Sequence, residues 1–308
     1  MTTSNKFCPY LDTTAYPTPD LSNISKLSGV KYFTLGFVVS KNNKPSWGGY
    51  YNTDTGFFKD QIISIRTLGG DVIVSFGGAA GAELAITITN MSDLVKSYQS
   101  VIDQYSLTYI DFDIEGSAIT DKVSVDRRSQ AIAILQKSNP NLKISFCLPV
   151  LPTGLTSDGI YVLNSLVKNN CNIDCIQIMT FDYGEESAPT NVGISQSQYA
   201  IKSANSVLKQ VTMSGLKSTI GIIPMIGVND INTEIFNLPD AHTLVEWAKT
   251  AAWVSRLSFW SINRDVANKT QQTTSSSTSS GIIQTSYAFS KIFNTYLQQN
   301  KTQKSCLR

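Results

Sequence analysis

Short apolar runs rich in β-branched and aromatic residues recur along the chain, and stretches with helical spacing separate most of them. Runs of this length and composition are typical of buried strands. We expect eight strands, within residues 6–12, 31–40, 71–78, 107–116, 142–150, 173–184, 218–227 and 256–265.

Three of the intervening segments carry clear helix signals. Between residues 91 and 105, apolar side chains recur at intervals of three and four, which places them on one face of a helix. A second helix is expected over 124–138, and it ends where Asn139 precedes Pro140, because a residue before proline disfavours helical backbone. A third is expected over 283–298.

Strand and helix alternating eight times predict an α/β fold, a (β/α)8 TIM barrel, with one domain spanning residues 1–308. A doubly wound open sheet is the alternative, since strands are easily miscounted from one sequence. The low-complexity stretch at about 270–281 predicts a mobile βα loop, and a short polar C-terminal tail follows the last helix. In a barrel, functional residues gather at the C-terminal ends of the strands. Six candidates share such a position: Asp12, Gly77, Gly78, Glu115, Asp182 and Trp260.

Three carboxylates alternate with apolar residues in "LTYIDFDIEG", residues 107–116. Side chains two apart on a strand point to the same side, about 7 Å apart, so Asp111, Asp113 and Glu115 form a carboxylate ladder on one face. Inside a barrel that face is the interior, and Glu115 lies nearest the open end. Carboxylates this close in a poorly solvated site share protons, which keeps one protonated near neutral pH and suits general acid catalysis. A surface strand with solvated acids is the alternative.

Composition removes several other classes of protein. A net charge of +2 gives no basis for binding nucleic acid or an anionic membrane surface, and no apolar run approaches the ~20 residues of a membrane span. The single histidine, His242, is expected to be exposed on a helix. With one histidine there is no histidine-rich metal site, and we expect neither a metal nor a cofactor.

The cysteines are sparse, five in the chain. Cys8 and Cys147 lie in apolar runs and are expected as small core residues. Cys171 and Cys175, in "NNCNIDCIQIM", could form a disulfide, but we favour buried thiols. Cys306 lies in the polar tail.

The motifs, taken in order, resemble those of glycoside hydrolase family 18, the chitinases. The family's signature on strand four is D-x-x-D-x-D-x-E, and residues 111–115 supply its last three acids. The third strand carries S-x-G-G as "SFGG", the sixth carries "QIMTFDYG", and the eighth has a tryptophan in "SFWSINRD". The resemblance spans the chain from "PYLD" to the last helix and is nearest to bacterial chitinases without the insertion domain.

Two positions depart from the family's pattern. The first acid of the signature falls at Thr108, so the carboxylate ladder is expected to be one rung short at its buried end. Phe181 stands where the family often has a tyrosine whose hydroxyl helps hold the substrate's acetamide. Tyr183, or another tyrosine reaching into the site, could compensate.

The resemblance implies an endo-acting chitinase that cuts β-1,4 links between N-acetylglucosamine units with retention and without a carboxylate nucleophile. Glu115 would protonate the scissile oxygen while the substrate's C2 acetamide attacks the anomeric carbon, forming an oxazolinium ion. Asp113 would orient the acetamide and stabilise that ion, and Asp111 would hold the proton balance of Asp113. Asp182 would place the acetamide or the hydrolytic water. Chitin or a chito-oligosaccharide is the expected partner.

Substrate-binding roles are expected for residues near the strand ends and their loops. Trp260 would form the floor under the −1 sugar, although a core tryptophan is the alternative. Gly77 and Gly78 would let sugar and backbone approach closely. Trp47, in "NKPSWGGYY", would form an outer aromatic subsite. The full set of substrate-binding candidates is Tyr10, Asp12, Trp47, Gly77, Gly78, Met179, Tyr183 and Trp260, and packing is the alternative for Tyr10, Asp12 and Met179.

Two other functions stay open on the sequence. One is an endo-β-N-acetylglucosaminidase with the same mechanism, acting on other glycans or peptidoglycan. The other is a catalytically weak or silent chitin- or glycan-binding barrel, which generally lacks the acid at the position of Glu115; this chain retains it together with Asp113 and Asp182. No signal peptide is visible in "MTTSNKFCPY", as in the mature form of a secreted protein, and we expect a secreted monomer.

Overall fold

The computed structural model describes residues 6–300 and confirms the predicted (β/α)8 barrel. The first strand pairs in parallel with both the second and the eighth, so the sheet closes and an open doubly wound sheet is excluded. The barrel strands are β1 (Lys6–Phe7 and Tyr10–Asp12), β2 (Tyr32–Lys41), β3 (Asp71–Gly77), β4 (Tyr109–Asp113), β5 (Lys143–Pro149), β6 (Cys175–Met179), β7 (Thr219–Ile223) and β8 (Val254–Leu257).

Helices surround the barrel, and the described part of the chain contains α1 (Leu21–Ser28), α2 (Lys59–Thr67), α3 (Leu84–Thr87), α4 (Met91–Tyr105), α5 (Ser117–Thr120), α6 (Lys122–Ser138), α7 (Ser157–Lys168), α8 (Gln196–Ser214), α9 (Leu238–Thr250) and α10 (Ala288–Asn294). The helix expected at 91–105 is α4, and the one expected at 124–138 is α6. The third begins later than expected, at Ala288, because Tyr287 has left-handed backbone with φ 58° and donates its N–H to Asp265. A 3-10 segment, Thr295–Asn300, continues it.

Local signals account for the ends of these helices. Asn90 caps α4 by accepting a hydrogen bond from the N–H of Asp93 at 3.1 Å, and the left-handed Ser106 ends it. Helix α6 ends at Asn139, directly before Pro140, as the sequence predicts.

The core between strands and helices is built from the side chains that alternate with the acids of β4. Phe112 lies in register with Phe76 of β3 and Phe146 of β5, and the ring centroids are 5.5 and 5.3 Å apart. Tyr98 of α4 packs edge-on against Phe76 and Phe112. Because these rings face outward, the intervening residues of β4 must face the barrel interior.

Two additions decorate the open end of the barrel. A hairpin of two short strands, Lys44–Trp47 and Tyr51–Asn52, extends β2. A second hairpin, Gly227–Val228 paired with Ile235–Phe236, follows β7. The segment at 270–281 lies between β8 and α10. Within it Gln272 donates its N–H to Gly281, and the Ser275 hydroxyl donates to Asp230.

The histidine and the cysteines can be compared with the positions expected from the sequence. His242 is exposed on α9. Cys147, Cys171 and Cys175 are buried thiols, and no disulfide links the cysteines of residues 6–300. Cys306 and the C-terminal tail lie outside the described residues. Over that same range, none of the helices combines the length and the apolar character needed to cross a membrane.

One buried ion pair ties three elements together near the open end. Glu83, in the loop after β3, accepts hydrogen bonds from Arg128 of α6 at 2.7 and 2.9 Å and from the Tyr98 hydroxyl at 2.5 Å. Both charged side chains are almost fully buried. Glu83 also caps α3 through the N–H of Ala85. The loop after β3 is therefore fixed by charge rather than by apolar packing alone.

Glu83→Ala should lower the free energy of unfolding by about 3–5 kcal/mol, because it leaves the Arg128 guanidinium buried without its counter-charge. Urea denaturation measures the loss. Glu246→Ala is the matched control: Glu246 also pairs with a lysine, but its side chain is 66% exposed, so its loss should stay below about 1 kcal/mol. Equal losses of unfolding free energy in the two variants would contradict a stabilising role for the buried Glu83–Arg128 pair.

Candidate active site

The carboxylate ladder runs up the barrel interior on β4 and ends at the open end. Asp111 is 0% exposed and Asp113 4% exposed, whereas Glu115 is half-buried, two residues past the end of the strand. The chain turns away at Gly116, whose φ of 54° suits glycine. The ladder thus passes from the barrel core to its solvent-facing end.

Asp111, the deepest rung, accepts hydrogen bonds from four other strands. Its Oδ2 atom accepts from the hydroxyls of Ser75 on β3, at 2.7 Å, and Tyr10 on β1, at 2.8 Å. Its Oδ1 atom accepts from Ser145 on β5, at 2.5 Å, and from the side-chain amide of Gln177 on β6, at 3.0 Å. Burial raises the pKa of Asp111, and the hydroxyl hydrogen bonds oppose that rise.

Asp113, the middle rung, is less well satisfied. Its buried Oδ1 atom has no hydrogen-bond partner within residues 6–300. Burial, followed by the charges of Glu115 and Asp111, raises the pKa of Asp113 well above its usual range. A carboxyl group in this position is readily protonated and has one oxygen available to a ligand.

Glu115 faces Asp182, which lies in the loop after β6. Burial and the nearby charge of Asp182 raise the pKa of Glu115 to about 7. Asp182 has left-handed backbone, with φ 50°, and its Oδ1 atom accepts a hydrogen bond from the N–H of Ile231 at 2.8 Å. Burial raises the pKa of Asp182, and the Ile231 hydrogen bond works against it. Glu115 is therefore a carboxylic acid that can donate a proton near neutral pH.

These acids line a cavity of about 190 Å³, hereafter the carboxylate cavity, at the C-terminal ends of the strands. The ring of Phe37 stacks on Trp260, with centroids 5.6 Å apart and planes 20° apart, and Tyr10 lies 6.2 Å from Trp260. The Gly36–Phe37 and Trp260–Ser261 peptide bonds are cis. The lining residues are Phe37, Ala79, Asp113, Glu115, Met179, Phe181, Asp182, Met225, Asp230 and Trp260.

Part of this lining consists of residues that the sequence predicts for the site. Asp113, Glu115, Met179, Asp182 and Trp260 come together in the carboxylate cavity. Tyr10 reaches the ladder through its hydrogen bond to Asp111. Four lining residues were not named beforehand, and they are Phe37, Ala79, Met225 and Asp230. Phe37 and Met225 lie in the C-terminal part of a predicted strand, Ala79 and Asp230 shortly after one, and that position is the signal that could have found them.

Two predicted substrate contacts are wrong. Trp47 is 0% exposed: its indole N–H donates to the Tyr105 hydroxyl at 2.8 Å, so the ring packs beneath the hairpin after β2 and cannot form an outer subsite. Tyr183 is buried against α8, where it packs edge-on to Tyr199 and its hydroxyl lies 3.4 Å from that of Ser203. It therefore cannot replace the hydroxyl that Phe181 lacks.

Three other candidates act on the protein itself. A Cβ atom at Gly77 would lie 2.1 Å from the carbonyl oxygen of Asp113, and one at Gly78 would lie 2.7 Å from the ring of Phe37. Both glycines therefore admit neighbouring protein atoms, not a sugar. Asp12 accepts hydrogen bonds from the N–H and hydroxyl of Thr14 and does not line the carboxylate cavity, so it caps its own turn.

The expected gap in the carboxylate ladder at Thr108 is also wrong. Thr108 precedes β4, is exposed, and lines a separate cavity of about 220 Å³ at the N-terminal ends of the strands. An acid there would be in solvent at the opposite end of the barrel. Its absence leaves the ladder of Asp111, Asp113 and Glu115 complete at the site.

The chemistry of the site comes from carboxyl groups and aromatic rings. Among the described residues, no group of three or more histidine, cysteine, aspartate or glutamate side chains is arranged to hold a metal ion. A proton donor, a second carboxyl group beneath it and a tryptophan beside them form a site suited to acid catalysis at the C-terminal end of a barrel.

Comparison with known proteins supports this class. No family model matches the chain. It is 34% identical over 310 residues to a probable bifunctional chitinase/lysozyme of Escherichia coli, covering 95% of this chain and 34% of that protein. It is also 34% identical over 274 residues to endochitinase 11 of Metarhizium anisopliae, covering 84% of this chain and 52% of that protein. The chain thus spans about a third to a half of these relatives.

A solved structure matches over nearly its whole length. The catalytic domain of a hyperthermophilic chitinase from Pyrococcus furiosus superposes with a TM-score of 0.86 at 33% identity, covering 97% of this chain and 96% of that one. A catalytic-site mutant of that enzyme's active domain 2, complexed with chito-oligosaccharides, matches with a TM-score of 0.84 at 31% identity, over 97% of this chain and 98% of that one. The chain belongs to glycoside hydrolase family 18, among the chitinase catalytic domains.

The free energy of unfolding should fall as the pH rises from about 4.5 to about 7. Over this range the folded chain holds protons on Glu115 and its neighbours that the unfolded chain has released, so stability decreases with pH. In Glu115→Gln this slope should be shallower, because one titrating group is gone. Urea denaturation at a series of pH values tests this, and an unchanged slope would contradict the raised pKa.

Proposed function

We propose that this chain is the catalytic part of a chitinase, hydrolysing β-1,4 links between N-acetylglucosamine units. The observation that carries the proposal is Glu115: a half-buried acid with a pKa of about 7, facing Asp182, in a cavity that also holds Trp260. The names of the relatives from Metarhizium anisopliae and Pyrococcus furiosus support the substrate class.

In the proposed mechanism Glu115 protonates the oxygen of the scissile bond, and the substrate's own C2 acetamide oxygen attacks the anomeric carbon. The partnerless oxygen of Asp113 accepts a hydrogen bond from the acetamide N–H, which orients the acetamide and stabilises the positive charge of the oxazolinium ion. Glu115, now ionised, takes a proton from the water that opens this ion. Both displacements occur at the same carbon, so the β configuration is retained.

Asp111 keeps the proton balance of Asp113 in this scheme. Four hydrogen-bond donors satisfy Asp111, and they favour its ionised form. That charge supports a proton on Asp113. As the acetamide cation develops, Asp113 passes this proton to Asp111 and becomes the ionised group beside the cation, and the proton returns to Asp113 when water opens the ion. Asp182 contributes from the loop after β6, by raising the pKa of Glu115.

Internal cleavage of long chains fits the size of the carboxylate cavity. Its volume of about 190 Å³ is below the range of about 300–1,000 Å³ that is typical of small-molecule sites. It therefore suits one sugar ring, with the remaining rings of the polymer lying along the open end of the barrel. The interval between β7 and α9 holds only a short hairpin. Among the described residues, therefore, no added domain in this interval covers the open end of the barrel.

Release of a fluorogenic aglycone from N,N′-diacetylchitobiose tests the proposal. The wild type should turn over, and Glu115→Gln should lose at least about 10²-fold in kcat, because the amide cannot protonate the leaving oxygen. Glu115→Gln should still bind chito-oligosaccharide by calorimetry. Binding without turnover in the wild type would instead mean a glycan-binding barrel, and turnover of peptidoglycan but not chitin would mean a different polymer.

The anomeric form of the fresh product tests retention. Proton NMR during the first minutes of chito-oligosaccharide hydrolysis should show the β-anomer first, followed by mutarotation to the α-anomer. Mass spectrometry of the same reaction on long chains should show intermediate lengths early, as internal cutting produces. An α-anomer at the earliest times would exclude the acetamide mechanism, and dimers alone at the earliest times would exclude the endo mode.

A further inference from the structure

Glu234 is a fully buried acid that the proposed reaction does not use. It lies in the hairpin after β7 and is 0% exposed. Its Oε1 atom accepts a hydrogen bond from the backbone N–H of Tyr183 at 2.7 Å, and its Oε2 atom accepts from the side-chain amide of Gln196 at 3.2 Å. Burial raises the pKa of Glu234 to about 7. A buried carboxylate is costly unless hydrogen bonds satisfy it, and each oxygen of Glu234 has a donor.

Its main contact holds the residue that follows Asp182. Asp182 has left-handed backbone, which non-glycine residues adopt only where their surroundings impose it. The side chain of Asp182 in turn accepts the N–H of Ile231, in the same hairpin as Glu234. The loop after β6 and the hairpin after β7 are therefore joined by two reciprocal hydrogen bonds, in each of which a carboxylate of one segment accepts a backbone N–H of the other.

The hairpin that carries Glu234 is itself braced. The N–H of Glu234 donates to the carbonyl of Ile231 at 2.8 Å, and its carbonyl accepts the N–H of Asn229 at 3.0 Å. The Asn229 side-chain amide donates to the carbonyls of Met225 and Gly227, both at 2.9 Å. Glu234 thus presents its carboxylate to the Tyr183 amide from a fixed support, not from a free side chain on a loop.

We propose that Glu234 is a positioning residue: by holding the Tyr183 amide, it fixes the backbone of Asp182 so that the Asp182 carboxylate faces Glu115. The inference rests on the proposed function, because the arrangement matters for catalysis only if Glu115 is the acid. Nothing in it requires Glu234 to touch the substrate, and Glu234 does not line the carboxylate cavity.

Two substitutions separate the hydrogen bond from the charge. Glu234→Ala should lower kcat on the fluorogenic chitobioside by about 10–10²-fold with KM changed less than about twofold, because a misplaced Asp182 no longer supports Glu115. Glu234→Gln should recover most of the rate. Its amide oxygen can still accept from Tyr183. The Gln196 side-chain amide now donates to Glu234, and once it turns over, its Oε1 atom, which has no hydrogen-bond partner within residues 6–300, can accept from the new amide.

A double-mutant cycle tests whether Glu234 acts through Asp182. Adding Glu234→Ala to Asp182→Asn should cost less than about twofold in kcat beyond Asp182→Asn alone, because the group being positioned is already altered. Asp126→Ala is the matched control: Asp126 accepts hydrogen bonds from Tyr161 and Ser165 in the outer helical layer, and its effect should be the same in either background. Independent, multiplicative losses for Glu234→Ala and Asp182→Asn would overturn the proposal.

Amide hydrogen exchange gives a readout that does not depend on turnover. In Glu234→Ala the Tyr183 and Ile231 amides should both exchange at least about tenfold faster, whereas in Asp126→Ala they should be unchanged. If the wild type shows no turnover, the proposed function fails, while faster exchange would still support the paired loops. If exchange at both amides stays at the wild-type rate in Glu234→Ala, the positioning role is wrong, whatever the kinetics.

Discussion

The cost of burying charge governs the centre of this molecule. Asp111 is fully buried inside the barrel, and it is tolerated there because hydroxyl and amide donors from β1, β3, β5 and β6 converge on its two oxygens. Those donors can converge only in a closed parallel barrel, where alternate residues of every strand share one interior. The closed barrel therefore makes the burial of Asp111 possible, and the charge of Asp111 adds to the burial and the Glu115 charge that raise the pKa of Asp113.

The acidity of each rung of the carboxylate ladder follows from its surroundings. Burial raises the pKa of Asp111, and its four hydrogen-bond donors oppose that rise. Asp113 is nearly as buried, has no partner for one oxygen and lies between two other acids, so its proton is held strongly. Glu115 is the most exposed and titrates near neutrality. Burial thus raises the pKa of all three acids, and the donors and charges around each side chain modify that rise.

Much of this could be predicted from the sequence because it depends on alternation along strands. The apolar runs, the inward face of β4 and the order of Asp111, Asp113 and Glu115 all follow from a two-residue period. The two-residue alternation no longer predicts the direction of a side chain beyond the end of a strand. The run at 173–184 contains a strand only to Met179, and the left-handed backbone at Asp182 turns Tyr183 away from the site, so its predicted contact was wrong.

Contacts between distant loops also escaped prediction. Glu234 and Tyr183 are 51 residues apart, and nothing local in either segment points to the other. Trp47 is followed by two glycines, which is typical of an exposed loop, yet its indole finds a partner in Tyr105 of α4. The gap expected at Thr108 came from the spacing of the family's signature, but Thr108 is three positions before Asp111, an odd number, so it does not share the face of the carboxylate ladder. These outcomes depend on three-dimensional neighbours and on exact strand ends, which a single sequence does not specify.

The glycine at position 78 has a wider consequence for the site. The Phe37 ring occupies the space that a side chain at Gly78 would fill, and the same ring stacks on Trp260. Any side chain at position 78 would displace Phe37 and, through it, the tryptophan. Gly78 does not line the carboxylate cavity, yet a substitution there would change the cavity's shape without altering any acid.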